Sequence, residues 1–341
     1  MNFTILENLC KIRAVSGDEE RLRAFIVSEI KNYSNEIITD NLGNLIIKKA
    51  GKKGHFNKKI MVTSSMDEVG FIITNITKDG FLKFNTVGPI DYKVLLGTRV
   101  LVGENNILGV IGSVPVHLLR SEEKYKKVKA EDLYIDIGAN NKEDAEKYIK
   151  LGDYASFEPV FLRDSNNIRA RALDSRLGCY TLIDLLKREY IHDLYFAFTT
   201  KEKIGSIGAT TVAYTIKPDT AFVISSTMAS DVYETEDENT ICKLGEGPVA
   251  PFMDKGTIYC KDLYSLALKL TKEKNIPIQT KMVSSSITDA SVIQKSRGGI
   301  KTLEILIPCR YINSPISMCK IIDLDNTEKL ICTLLEHLLR E

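Results

Sequence analysis

From Asp174 onward, helical and strand-like segments take turns. A helix over 176–189 precedes a strand at 194–199, a helix near 206–215 precedes a strand at 220–225, and a helix over 260–274 precedes a strand near 278–283. A strand at 302–307 and an amphipathic helix over 326–340 close the chain. Such alternation predicts a mainly parallel sheet with helices on both faces, because each crossover has to return over the sheet before the next strand can start. Residues 1–68 add to the same layer, with a helix over 18–32 that puts Leu22, Phe25, Ile26 and Ile30 on one face, and short apolar runs at 45–47 and 59–64. Residues 69–165 read differently. Segments 71–77 and 81–87 alternate around Lys78-Asp79-Gly80, a hairpin signal, and 99–102 and 107–114 flank a second turn at 103–106. A further strand at 133–137 and one helix near 141–150 complete that block. The expectation is an α/β, three-layer αβα domain built from 1–68 plus 166–341, with an inserted small β-barrel-like domain at 69–165.

Composition removes several classes of function. Forty-six Lys and Arg against forty-five Asp and Glu leave a net charge of +1, which gives no electrostatic case for nucleic acid or an anionic membrane. The basic cluster Lys124, Lys126, Lys127 and Lys129 has only Tyr125 interleaved and reads as a solvated face. Seven cysteines are scattered without CxxC spacing, so neither a disulfide framework nor a zinc knuckle is expected, and a reducing cytoplasm is the natural compartment. The segment from Met1 to Gly17 carries Glu7 and lacks the apolar core of a signal peptide, and no stretch is apolar enough for a membrane span.

In an open α/β sheet, ligands sit beyond the carboxyl ends of the strands. Those ends offer Ser65, Asp67 and Glu68; then Lys201, Glu202 and Lys203; then Ser225, Ser226 and Asp231; then Arg310, Tyr311, Asn313 and Ser314. Asp174 opens a helix just after the β block, where N-capping alone would account for it. Carboxylates at several strand ends suit a hard-metal or acid–base site. The histidines, His55, His117, His192 and His337, all fall elsewhere. Serines at 64–65, 225–226 and 284–286 lie in no GxSxG elbow, which argues against a serine hydrolase. Gly245-Glu246-Gly247 is a weak phosphate-loop signal.

Taken in order, these segments resemble a known family. Residues 62–71, VTSSMDEVGF, resemble its SAHMDEVGF segment; 172–178, ALDSRLG, resemble ALDNRxG; and 199–209, TTKEKIGSIGA, resemble TTQEEVGLRGA. Residues 222–227 (FVISST), 288–290 (TDA) and 310–314 (RYINS) resemble AIDVT, GGTDA and RYIHS, and 40–44 (DNLGN) matches DxLGN. The family is peptidase family M forty-two, cytoplasmic metallo-aminopeptidases that include glutamyl, deblocking and tetrahedral twelve-subunit members, some formerly called endoglucanases. The resemblance spans nearly the whole chain. It implies a phosphorylase/hydrolase-like zinc-peptidase fold, with the β insertion serving dimerisation.

It also implies two divalent ions, zinc or cobalt, held by five residues, with a sixth as general base. At those positions this chain keeps Glu202 as the base, Asp174 as the bridging ligand and Asp67 as the aspartate that orients a histidine. The other four ligand positions hold non-ligands: Ser65 for histidine, Lys203 for glutamate, Ser225 for aspartate and Asn313 for histidine. Three acids and one ammonium leave a net of two negative charges, too few for two divalent cations, and without them no water is activated for Glu202 to use. The expectation is therefore a pseudo-peptidase that needs no cofactor. It would be a self-assembling dimer or twelve-subunit shell, or the partner of an active paralogue. An active metallo-aminopeptidase and a metal-free enzyme or binder using the old cleft are the alternatives. Lys203 is expected to turn inward and pair with Asp174 or a neighbouring acid.

Overall fold

A computed structural model describes residues 2–34, 36–115, 117, 128–235, 240–281 and 287–340. Lys124 to Lys127, the serines at 284–286 and the end of the strand expected near 278–283 lie outside them.

The main layer is an eight-stranded sheet. Its order is Glu36–Thr39, Leu45–Lys49, Leu194–Thr199, Ile60–Ser65, Thr220–Met228, Lys301–Cys309, Val249–Pro251 and Gln279–Lys281. The four central strands are parallel, with Thr199 opposite Ser65 and Ser225 opposite Leu306, so their carboxyl ends form one edge. They read as unbroken apolar runs because both faces are covered. Helices Leu173–Leu186, Lys261–Lys274 and Ile321–Leu338 pack on one face, with Phe3–Lys11 and Glu20–Ile30 against the first of them. Ile207–Ile216 and Asp289–Ile293 pack on the other. The helix Phe3–Lys11 carries no start signal beyond its cap: the Asn2 side chain accepts from the Thr4 N–H.

The insertion closes into a six-stranded barrel. Strands Gly70–Ile76, Leu82–Val87, Leu133–Asp136, Ile107–Ser113, Arg99–Val102 and Tyr154–Phe157 follow one another around it, and the last pairs back to the first. Closure leaves no free strand edge. Its core is its own: Phe71 packs edge-on to both Phe84 and Phe157. The expected helix near 141–150 is shorter, Lys142–Glu146, capped by Asn141. A small sheet of Phe161–Arg163, Asn167–Ala170 and Ser317–Lys320 was not legible in the sequence. It ties the exit from the barrel to the loop after Lys301–Cys309.

Where barrel, sheet and first helix meet, one buried acid holds two buried guanidinium groups. Glu68 lies 3.2 Å from Arg176 and 3.5 Å from Arg171, and accepts from the Ala14 N–H at 2.8 Å. Arg171 donates to the Cys10 carbonyl, the Phe157 carbonyl and the Ser156 hydroxyl, while Arg176 donates to the Leu9 carbonyl. Glu68, read from the sequence as one of several strand-end acids, is thus committed to structure. Glu68→Gln removes the charge that balances both arginines and is expected to cost roughly 2 kcal/mol or more. Urea unfolding measures this loss, and an unchanged midpoint would show that the backbone carbonyls suffice.

Candidate functional site

The helix beginning at Leu173 reaches the sheet because residue 178 is glycine: a Cβ there would stand 2.1 Å from the Ser64 hydroxyl and 2.8 Å from the Ile224 carbonyl. Asp174 keeps an extended backbone, φ −84° and ψ 107°, and makes no capping bond. Capping therefore does not explain this residue. Its carboxylate points instead to the end of the strand Leu194–Thr199.

There it meets Lys203. The Lys203 Nζ is 2.7 Å from Asp174 Oδ2 and 2.8 Å from Glu202 Oε2, and all three side chains are at least nine-tenths buried. The Lys203 backbone N–H donates to Asp67 Oδ2 at 2.9 Å, and the Ser16 hydroxyl donates to the same oxygen at 2.5 Å. The lysine therefore turns inward and stands between the acids. Asp289 joins them from the opposite helix, accepting from the Thr199 hydroxyl at 2.5 Å. Its segment, Thr288-Asp289-Ala290, is visible in the sequence, but nothing in its spacing marked it as part of the same cluster.

Electrostatics follows from burial. Burial raises the Glu202 carboxyl to about 8; the Lys203 ammonium opposes this, while Asp67, Asp174 and Asp289 add to it. Burial likewise raises Asp289 to about 6, against the Thr199 hydrogen bond. Burial alone would lower Lys203, but Asp174, Glu202 and Asp67 outweigh it and hold the ammonium charged. One ammonium and about one proton thus offset about half of the charge of Asp67, Asp174, Glu202 and Asp289 near neutral pH.

A stability profile follows. Between the ordinary 4.5 and about 8, folded Glu202 holds a proton that the unfolded chain releases, so stability falls as pH rises through that window. Glu304, raised by burial to about 7, works in the same direction. The urea midpoint is expected to drop between pH 5 and pH 8.5, by at most about 1.4 kcal/mol per pH unit for each group. Glu202→Gln should flatten the slope, and an equal slope in that variant would assign the effect elsewhere.

The other positions read from the resemblance as substituted ligands are Ser65, Ser225 and Asn313. Ser65 ends its strand, nearly buried, and its carbonyl accepts from Cys179 Sγ. Ser225 is half-buried on the strand Thr220–Met228. Asn313 is left-handed, φ 60°, and lines a narrow crevice with Asp174, Glu68 and Ser314. Arg310 and Asp231, both read from strand ends, pair side-on at 2.8 Å and join two loops at the rim. His192 stacks near Phe56, 4.9 Å between rings, and His337 lines a cavity of about 590 Å³ at the other end of the strands, so neither reaches the cluster. Asp67 Oδ1 and Asp174 Oδ1 are buried with no hydrogen-bond partner among the described residues. Among those residues no three His, Cys, Asp or Glu side chains are arranged to hold a metal ion.

The sequence profile of the M42 glutamyl aminopeptidase family matches residues 43–330. The chain belongs to that family. Within the M42 family, a putative aminopeptidase of Acetivibrio thermocellus is 35% identical over 331 residues, 96% of this chain and 97% of that one. The TET aminopeptidase from the marine sediment archaeon Thaumarchaeota archaeon SCGC AB-539-E09 superposes with a TM-score of 0.94 at 31% identity, covering 98% of this chain and 96% of that one. The PhTET1-12s structure, a dodecamer, superposes at 0.85 with 34% identity, covering 98% and 99%. The M42 fold is thus complete here, barrel included. No helix among the described residues is long and apolar enough to cross a membrane.

Proposed function

We propose that this M42 chain is a pseudo-peptidase that does not run dinuclear metal-dependent aminopeptidase chemistry. The observation that carries the reading is the Lys203 ammonium, held 2.7 Å from Asp174 and 2.8 Å from Glu202. The residues do not fit the two ions that the family resemblance implies. A fixed cation stands between the bridging acid and the base, and Ser65, Ser225 and Asn313 offer no anionic or imidazole donor. Glu202, raised by burial, is then a carboxylic acid at neutral pH with no polarised water to deprotonate. The chain is expected not to cleave aminoacyl anilides with or without added zinc, cobalt or manganese. Turnover above that of a Glu202→Gln control would refute the proposal.

A second reading, a metallo-aminopeptidase with a reduced ligand set, draws on the aminopeptidase names of the relatives and on the unpartnered carboxylate oxygens of the cluster, among them Asp67 Oδ1, Asp174 Oδ1 and Asp289 Oδ1. It predicts metal-stimulated turnover in the same assay.

We further infer self-assembly, as a dimer or a larger shell like the dodecamer of the PhTET1-12s structure, with a cytoplasmic location. On the barrel, Leu108 and Val110 alternate outward at 52% and 42% exposure, with Val114 close by at 49%, an apolar strip that a second copy would cover. An active paralogue could take the same place in a mixed shell. Light scattering at micromolar concentration is expected to give at least twice 38.2 kDa, and a monomer mass would contradict it.

A further inference from the structure

Cys309 ends the strand Lys301–Cys309, and Cys319 lies on Ser317–Lys320. Between them the chain makes a tight rim loop, left-handed at Tyr311 and Asn313. The Tyr311 carbonyl accepts from the Ser314 and Ser317 hydroxyls at 2.6 and 3.1 Å. The loop closes where Arg310 and Met318 exchange both backbone hydrogen bonds, at 2.8 and 3.1 Å.

In an antiparallel ladder the position next to such a pair is a non-hydrogen-bonded one, with Cα atoms about 4.5 Å apart and side chains on the same face. Cys309 and Cys319 occupy it. That spacing falls at the short end of what a disulfide spans, about 4.4–6.8 Å. Both side chains are fully buried free thiols. Burial raises the Cys309 thiol well above its ordinary value, and a side-chain hydrogen bond with the Cys319 thiol raises it further. Cys179 and Cys242, also buried, donate instead to the backbone carbonyls of Ser65 and Met228.

We propose that Cys309 and Cys319 form a reversible oxidation site, at which hydrogen peroxide converts the thiol pair to a disulfide at the base of the cleft rim. One sulfur, as thiolate, attacks a peroxide oxygen, breaks the O–O bond and becomes a sulfenic acid; the hydroxide released takes up a proton and leaves as water. The other thiol attacks that sulfenic sulfur and displaces a second water. Two thiols and one peroxide thus give one disulfide and two waters. Peroxide is small enough to enter a packed interior, and Ser317–Lys320 lies at the edge of its three-stranded sheet, where local opening is easier than in the eight-stranded layer. Buried, protonated thiols react slowly, so the pair stays reduced at low peroxide. A short cross-strand bridge is readily reduced again, which suits a transient signal in a reducing compartment. The bridge ties the base of the loop that carries Asn313 and the Arg310–Asp231 pair, so oxidation bears on the cleft rim whether or not the neighbouring acids hold metal.

Trypsin cuts after Lys301, Arg310 and Lys320, so each cysteine falls alone on its own peptide, 302–310 or 311–320. For the test, native full-length protein is treated with excess hydrogen peroxide at mildly alkaline pH, quenched, denatured in a thiol-blocking alkylator and digested. The expected result is loss of two of the seven thiols and a crosslinked pair of those two peptides, with or without sulfoxide on Met318. Dithiothreitol should reverse both the loss and the crosslink. Cys319→Ala should keep all of its remaining thiols under the same treatment. Cys10→Ala, which removes a further thiol near Cys319, should still lose two. Thermal unfolding in reducing buffer shows whether each variant folds, and for one that does not the wild-type peptide map alone decides. No thiol loss in the wild type, oxidation that stops at sulfinic acid on either residue, or a bridge from Cys319 to Cys10 in place of Cys309 overturns the proposal.

Discussion

Lys203→Met is expected to lower stability by roughly 3–5 kcal/mol at pH 8, the cost of removing one partner from a buried ion cluster. Lys203 contacts Asp174 and Glu202 directly, and its backbone N–H fixes Asp67. A methionine has about the right volume but leaves those acids facing one another without a cation. Two carboxylates about 4 Å apart repel by roughly 4 kcal/mol at an effective dielectric of 20. Protonation relieves that repulsion, so the loss should shrink toward pH 5 as Glu202 takes up its proton. Adding Asp174→Asn should recover part of it. Urea unfolding of the three proteins at pH 5 and pH 8 measures all of this. A Lys203→Met protein as stable as the wild type at pH 8 would mean that the ammonium is a passenger.

The second large effect is a gain. Combining Lys203→Glu with Ser65→His, Ser225→Asp and Asn313→His restores, on the family resemblance, every substituted ligand position, and Asp174 and Glu202 remain in place. The quadruple variant is expected to bind about two divalent ions per chain. It should be stabilised by roughly 4 kcal/mol when the free ion stands a thousandfold above its Kd. Wild type should show no such shift. Without metal the variant should be less stable than the wild type, since Lys203→Glu and Ser225→Asp add two acids and the ammonium is gone. If the metal-loaded variant gains nothing, the scaffold itself has changed, and the loss of ligands is only part of its divergence.

The fold was legible because its signals are periodic. The parallel strands at 60–65, 194–199, 220–228 and 301–309 are apolar runs separated by helices of 3.6 period, and the barrel hairpins carry Gly at their turns. What escaped lacks such a signal. Phe161–Arg163, Asn167–Ala170 and Ser317–Lys320 are short, and they pair across a separation in sequence that no local pattern encodes. In the cluster, Asp67, Asp174, Glu202 and Lys203 could be grouped because each stands at a strand end or inside a recognisable segment. Asp289 joins them through a tertiary contact, the Thr199 hydroxyl, that no local pattern announces. Glu68 looked like one of the cluster's acids and is instead the counterion of Arg171 and Arg176, a role fixed by the direction its side chain takes after Asp67. The burial of Lys281 was equally illegible, because a lysine at the end of an edge strand ordinarily points to solvent and only the packed structure shows it buried.

The central claim is that an ammonium has replaced the metal ions in this M42 chain. Elemental analysis of protein purified without chelator, then equilibrated with excess zinc or cobalt and desalted, tests it most directly. The account predicts far less than one ion per chain before and after loading. About two tightly held ions per chain would contradict it.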